Sequence, residues 1–217
     1  MRRWSELADR VAATSRTSEK RRLIAENLRS LPPDDLVPTA HFLAGRPFAQ
    51  GAARATGVGW ATIAGVVTEL SGLGPDALRA AYDRSSDLGT AVGEVLAEAE
   101  AIGTRPIPAE TAVPTPAETA AFAALEAAPG PARKGALLRE LLARVDPRTA
   151  KYLVRILAGE LRIGLREGLL EAAVADAFAR PLEAVKRAGM LTGDVGETAR
   201  LAREGRLDPL SARTLGE

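Results

Sequence analysis

The sequence predicts an all-α fold of about a dozen helices in two pseudo-twofold-related halves, and three observations predict it. Apolar residues recur at helical spacing along nearly the whole chain. Ala, Arg, Leu and Glu dominate, whereas aromatic residues make up only 4%. A block of this pattern also returns later in the chain, with the same residues at the same spacing. No alternating apolar and polar run is long enough to argue for a strand.

The elements follow in order. Residues 4–14 place Trp4, Leu7, Ala8 and Val11 on one stripe. Thr17 or Ser18 is a capping residue for a second helix carrying Leu23, Ile24 and Leu28. Pro33-Asp34-Asp35 opens a third, with proline in the first turn and acids at the positive end of the dipole. It runs to about Leu43, and Gly45 stops it. Helices are expected over 59–71, 75–84 and 88–101. Residues 103–116 hold Pro106, Pro108, Pro114 and Pro116 and read as an extended connector. Helices resume over 117–127 and 132–144, broken at Pro129-Gly130-Pro131. Asp146-Pro147 is a cap followed by a first-turn proline, opening a helix through Ala158. Three more fit 167–179, 181–189 and 195–204.

The restart is an internal repeat. Shifting residues 18–45 by 114 positions aligns eight identities without a gap, among them Lys20/Lys134, Leu23/Leu137, Pro33/Pro147 and Gly45/Gly159. A looser echo appears at a shift of 107, where Asp87-Leu-Gly-Thr90 resembles Asp194-Val-Gly-Glu197. The organisation expected is a first helical half over 1–102, the connector over 103–116 and a second half over 117–217.

Composition removes several function classes. With no cysteine there is neither a disulfide nor a thiolate metal site, and a reducing cytosol fits. One histidine, His41, cannot supply both a triad and a metal cluster, and its place in an apolar helix favours a structural role. No apolar run reaches the ~18 residues of a membrane span, so a soluble cytoplasmic protein is expected. Gly-x-Ser-x-Gly and phosphate-loop patterns are absent. The net charge of +1 conceals a division: residues 133–166 hold nine Arg or Lys and three Asp or Glu, and residues 55–132 hold three basic and ten acidic residues. A basic block suits anionic partners, and it equally describes a solvated helix face.

Anion binding is the chemistry the residues favour. Amide groups in glycine turns and at helix starts hold phosphate without side-chain charge, and glycine allows close approach. Gly45, Gly57, Gly59, Gly159 and Gly164 occupy such turns, Arg162 and Arg166 add charged donors, and Lys134, Lys151 and Arg155 come from the preceding helices. The same glycines also read as helix stops, and the arginines as solvent-exposed side chains. Two related turns suit the two strands of a duplex, through backbone contacts that carry no sequence information.

The run Lys151-Tyr-Leu-Val-Arg-Ile-Leu-Ala-Gly-Glu-Leu-Arg-Ile-Gly-Leu165, followed by Glu171-Ala-Ala-Val-Ala-Asp-Ala-Phe178, resembles the N-terminal DNA-binding domain of ATP-dependent DNA ligases of archaea, eukaryotes and some bacteria. Ser15-Arg-Thr-Ser-Glu-Lys-Arg21, Thr56-Gly-Val-Gly59 and Ser86-Asp-Leu-Gly89 resemble further elements of that domain, so the similarity extends over essentially the whole chain. The resemblance implies sequence-independent binding of nicked duplex DNA through the minor groove, in replication, repair or recombination. It implies backbone contacts from Gly159, Arg162 and Gly164, beside which Arg166, Lys134 and Lys151 are the DNA-binding candidates of the anion-binding reading. From the first half it implies Gly45, Arg46, Gly57 and Gly59, since Phe48 aligns with Arg162 at the shift of 114.

The family's chemistry uses a lysine nucleophile in a Lys-x-Asp-Gly motif. The four lysines here precede Arg21, Gly135, Tyr152 and Arg187. The chain thus resembles the front third of a ligase. The segment itself is expected to use no cofactor and to seal nothing, while ATP and magnesium are implied for the parent. The implied partners are nicked double-stranded DNA and the catalytic domains of the same polypeptide, in a monomeric, nucleoid-associated bacterial protein. The alternative reading is a helical-repeat scaffold that binds protein through the acidic block.

Overall fold

The computed structural model describes residues 1–48, 56–108 and 115–207. These contain twelve helices and no strand. They are α1 (Arg2–Ala13), α2 (Thr17–Ser30), α3 (Pro33–Leu43), α4 (Trp60–Ser71), α5 (Asp76–Ser85), α6 (Leu88–Ala101), α7 (Thr115–Ala127), α8 (Gly130–Ala143), α9 (Pro147–Leu157), α10 (Glu167–Phe178), α11 (Leu182–Thr192) and α12 (Val195–Glu204).

Local chemistry sets many of the boundaries. Asp146 accepts the Thr149 amide and opens α9 with Pro147 in its first turn. Asp87 and Asp194 cap α6 and α12 by accepting the amides of Thr90 and Glu197. The start of α2 differs from expectation: Thr17 lies inside the helix, and Arg16 occupies the cap without a side-chain bond. Helices α3 and α9 both stop at glycine. Gly45 (φ +73°) donates to Phe42 O while Arg46 donates to His41 O, and Gly159 (φ +70°) and Glu160 do the same to Ile156 O and Arg155 O. These are closely similar left-handed stops 114 residues apart.

Two compact units form. The first comprises residues 1–5 and 54–160, and the second comprises residues 6–53 and 161–217. Each draws on both sides of the 103–116 connector. In the first unit α9 packs on α6 and α8 packs on α4, with α5 against α6. In the second α3 packs on α12 and α2 packs on α10, with α11 against α12. The shifts of 114 and 107 convert one set of pairings into the other. Each unit therefore combines the helix pair of one repeat with the helix triplet of the other.

The core of the first unit includes Tyr152, Leu138, Leu142, Leu96, Leu78 and Phe122, all fully buried. Trp4 meets Tyr152 edge-on, with ring centroids 5.6 Å apart. Arg105, in the connector, is buried as well. Its guanidinium donates to Leu142 O and Val145 O at 2.8 Å each and pairs with Glu100 at 2.7 Å. Burial pulls Arg105 below its ordinary value against the attraction of Glu100. The connector thus starts as a bolt on the C-terminal end of α8 rather than as a simple extended link. The core of the second unit holds Phe42, Ile24, Leu28, Leu36 and Leu43. Arg29 ties α2 to the last carbonyls of α10 through Ala177 O and Asp176 O.

Candidate nucleic-acid interface

In the second unit the chain between α9 and α10 forms a turn held from below. Leu161 and Ile163 are buried and Arg162 between them is exposed. Arg162 has φ +54°, a left-handed backbone that costs a non-glycine residue about 1 kcal/mol. Gly164 follows at φ +63°. Beneath it lies Lys20 of α2, only 7% exposed, whose Nζ donates to Ile163 O at 2.6 Å and Gly164 O at 3.1 Å. A Cβ on Gly164 would lie 2.7 Å from that ammonium. Gly45 is also buried here, and a Cβ on it would meet the Leu161 Cβ at 3.2 Å. The turn is thus pinned by a buried cation, two apolar anchors and a close glycine contact.

Beside it opens a groove of about 1060 Å³ lined by Thr17, Ser18, Arg21, Gly164, Arg166 and Gly168. The first turns of α2 and α10 both reach this groove, and neither helix has a side-chain cap. Their leading amides are therefore available to an anion, and Arg166 stands exposed at the cap of α10. Arg21 is held in a bidentate pair with Asp176. That pairing raises the Arg21 pKa further, against a small opposing effect of burial. Arg46 is exposed just past the stop of α3 and lines a small pocket with Arg166.

The first unit repeats the turn. Gly57 has φ +62°, and Lys134 of α8 donates from Nζ to Thr56 O. A Cβ on Gly57 would lie 2.6 Å from the ammonium. Lys134 stands 114 residues after Lys20, and Gly57 stands 107 before Gly164. Gly59 caps α4 without a side-chain bond, and the first turn of α4 carries no acid.

The repeat also extends to the side chain that meets each capping aspartate. Arg155 on α9 meets the α6 cap Asp87 at 3.1 Å, and His41 on α3 meets the α12 cap Asp194 at 2.9 Å. Burial opposes the charge on Asp87, but the Thr90 amide and Arg155 outweigh it and hold the carboxylate below its usual range. Asp194 is held low in the same way by the Glu197 amide and His41. Gly89 and Gly196 make room for these partners, since a Cβ would strike the Lys151 carbonyl and Arg155 Cγ in one unit and His41 Nε2 in the other.

The residues expected at the site therefore take distinct places. Arg162, Gly164, Arg166, Gly45 and Arg46 belong to the second unit, and Gly57, Gly59, Lys134, Lys151 and Gly159 belong to the first. Gly57, Gly59, Gly159, Gly164, Arg162, Arg166 and Arg46 are exposed, and Gly45 is buried. Lys134 braces a turn from within. Lys151 lies half-buried on α9 with its ammonium 4.6 Å from the Tyr152 ring centre. The alignment of Phe48 with Arg162 needs correction. Phe48 is buried, and the Gly164 conformation and its lysine brace recur at Gly57, so the shift has changed to 107 and Ala55 takes the Arg162 position. Ala55 lies outside the described residues. Lys20 was visible in the sequence as the partner of Lys134, but nothing there marked it as a buried brace.

The fold and its turns define a class: an all-α domain assembled from an exchanged helical repeat that displays lysine-braced glycine turns. The chain matches the family described as DNA ligase N terminus over residues 1–175. It is 40% identical to a probable DNA ligase of Opitutus terrae over 93% of this chain and 22% of that protein. A probable DNA ligase of Koribacter versatilis is 39% identical over 95% of this chain and 35% of its own length. DNA ligase 1 of Korarchaeum cryptofilum is 32% identical over 99% of this chain and 38% of its own length. The chain belongs to the DNA ligase N-terminal family, and it spans 22–38% of the length of these relatives.

Proposed function

We propose that this chain is the duplex-binding domain of an ATP-dependent DNA ligase and grips nicked DNA through the sugar-phosphate backbone of the minor groove, at any sequence. The observation that carries this reading is the lysine-braced glycine turn present in both units, with Arg162 held outward by Leu161 and Ile163 in one of them. A fixed, exposed backbone turn next to uncapped helix starts is suited to phosphate, a ligand met identically at every base step. The minor groove offers a degenerate base code, which suits an enzyme that must act wherever a nick occurs.

Within this reading Arg162 and Arg166 donate to phosphate oxygens, Gly164 and Gly57 let the backbone approach, and Lys20 and Lys134 shape the turns without touching DNA. ATP and magnesium belong to other domains of the parent enzyme. No lysine here begins a Lys-x-Asp-Gly motif, and the described residues hold no carboxylate or histidine cluster suited to a metal ion. Among the described residues, neither group therefore has a feature suited to hold it.

Fluorescence anisotropy with nicked and intact duplexes of unrelated sequence tests the proposal. Binding should weaken with salt by roughly one log unit per phosphate neutralised. Arg162→Ala should lower affinity alike on every sequence and reduce that slope by about one. Absence of binding to nicked duplex at low salt, or binding indifferent to salt, would refute it.

A further inference from the structure

The two turns are braced alike but lead into different residues. In the second unit Arg166 caps α10 and Glu167 is its first residue. In the first unit, 107 positions earlier, Gly59 caps α4 and Trp60 is its first residue. The chain has only two tryptophans. Trp4 is 4% exposed and packed on Tyr152, whereas Trp60 is 39% exposed. Trp60 is not loose. Tyr82 of α5, itself 37% exposed, meets it edge-on with centroids 5.1 Å apart and planes at 70°. A steadied aromatic pair thus stands at the surface immediately after Gly57-Val58-Gly59, and Gly59 and Trp60 occupy the positions that Arg166 and Glu167 hold after the other turn.

We propose that Trp60, steadied by Tyr82, is the side chain with which the first unit meets duplex DNA, packing its indole against deoxyribose and donating its ring N–H to a neighbouring phosphate. This inference rests on the duplex-binding reading above. Large rigid aromatics provide contact area at little entropic cost, and tryptophan joins an apolar body to a polar tip. Sugar is the apolar part of the backbone, is the same at every base pair, and in DNA lacks the 2′-hydroxyl that would crowd an apolar ring. The neighbouring turn is already shaped for close backbone approach by Gly57. One unit would then hold its backbone stretch by charge and the other by apolar contact.

Tryptophan emission tests this directly, because Trp4 is buried and serves as an internal constant. Nicked duplex added to the intact chain should change the Trp60 emission, and the change should vanish in Trp60→Phe, whose only tryptophan is Trp4. Trp60→Ala should weaken duplex binding by about tenfold with the salt slope unchanged, because the neutral indole neutralises no phosphate charge. Arg162→Ala should instead reduce the slope. Circular dichroism on Trp60→Ala and Trp60→Phe checks that both fold. If duplex binds but Trp60 emission stays constant and Trp60→Ala keeps full affinity, the Trp60 proposal fails while the duplex-binding reading stands. If no duplex binds at low salt, the duplex-binding reading fails as well. An emission change and an affinity loss confined to single-stranded DNA would overturn the sugar contact in favour of base stacking.

Discussion

The Gly57 turn and the Gly164 turn are the same backbone device with different side chains. Both carry a left-handed glycine over a lysine of the neighbouring helix, with φ +62° and φ +63°. Around them the units diverge: Arg162 and Arg166 flank one, and Gly59 and Trp60 follow the other. The partners of the capping aspartates show the same drift, with Arg155 on Asp87 in one unit and His41 on Asp194 in the other. A duplicated frame keeps what positions the backbone, namely the glycines, the bracing lysines and the capping aspartates. It releases the side chains that face outward.

Substitutions made in matched pairs break or sharpen this comparison. The largest effect is expected at the helix-start glycines. In Gly89→Ala the new methyl collides with the Lys151 carbonyl, backbone that cannot swing aside, and unfolding should become easier by about 3 kcal/mol or more. In Gly196→Ala the methyl meets the His41 ring and Val37 side chain, which can shift, so the loss should be smaller. Urea denaturation of the two variants decides the order, and equal losses would break the comparison.

The lysine braces come next. Lys20→Met leaves Ile163 O and Gly164 O without their donor, and Lys134→Met leaves Thr56 O. Each lost partner for a buried acceptor costs about 1–3 kcal/mol, so Lys20→Met should be the more destabilising in thermal melts. The stop glycines follow. Gly45→Ala suffers both the left-handed backbone and a Cβ contact of 3.2 Å with Leu161, whereas at Gly159 nothing lies within 4 Å. Gly159→Ala should lose only the roughly 1 kcal/mol of backbone strain, and Gly45→Ala should lose more.

The smallest effect concerns acid. Asp87 and Asp194 both titrate lower in the folded chain than their ordinary value near 3.9. Their contribution is present at neutral pH and is lost as pH falls from about 4 through the lowered folded values. Asp87→Asn or Asp194→Asn should therefore flatten the acid limb of a stability-against-pH profile. An unchanged limb in both would contradict the pairing.

Much of this architecture was legible in the sequence. Pro33, Asp146-Pro147 and the glycine at 45 mark helix ends by chemistry that acts within a few residues, and the structure follows them. The stripe of Trp4, Leu7, Ala8 and Val11 is buried as its spacing requires. The start of α2 shows the limit of cap reading, since Thr17 has the right side chain but the helix begins one residue earlier in the chain. The partner choice of the helices was not legible. A repeat says which segments are alike, and α2 packing on α10 depends on contacts more than a hundred residues away. Lys20 was hidden for the same reason, because burial of a lysine is decided by carbonyls that arrive from a distant turn.

The exchange of helices between the repeats also bears on how the chain is born. The first unit draws almost wholly on the continuous stretch 54–160, so its helices emerge from a ribosome with their partners close behind. Helices α2 and α3 leave earlier but pack on α10 and α12, which follow more than a hundred residues later. At a synthesis rate of about 5–20 residues per second, their apolar faces wait on the order of ten seconds for cover. These two early helices thus wait for their place, and the unit that displays Arg162 closes only after the other has had time to fold.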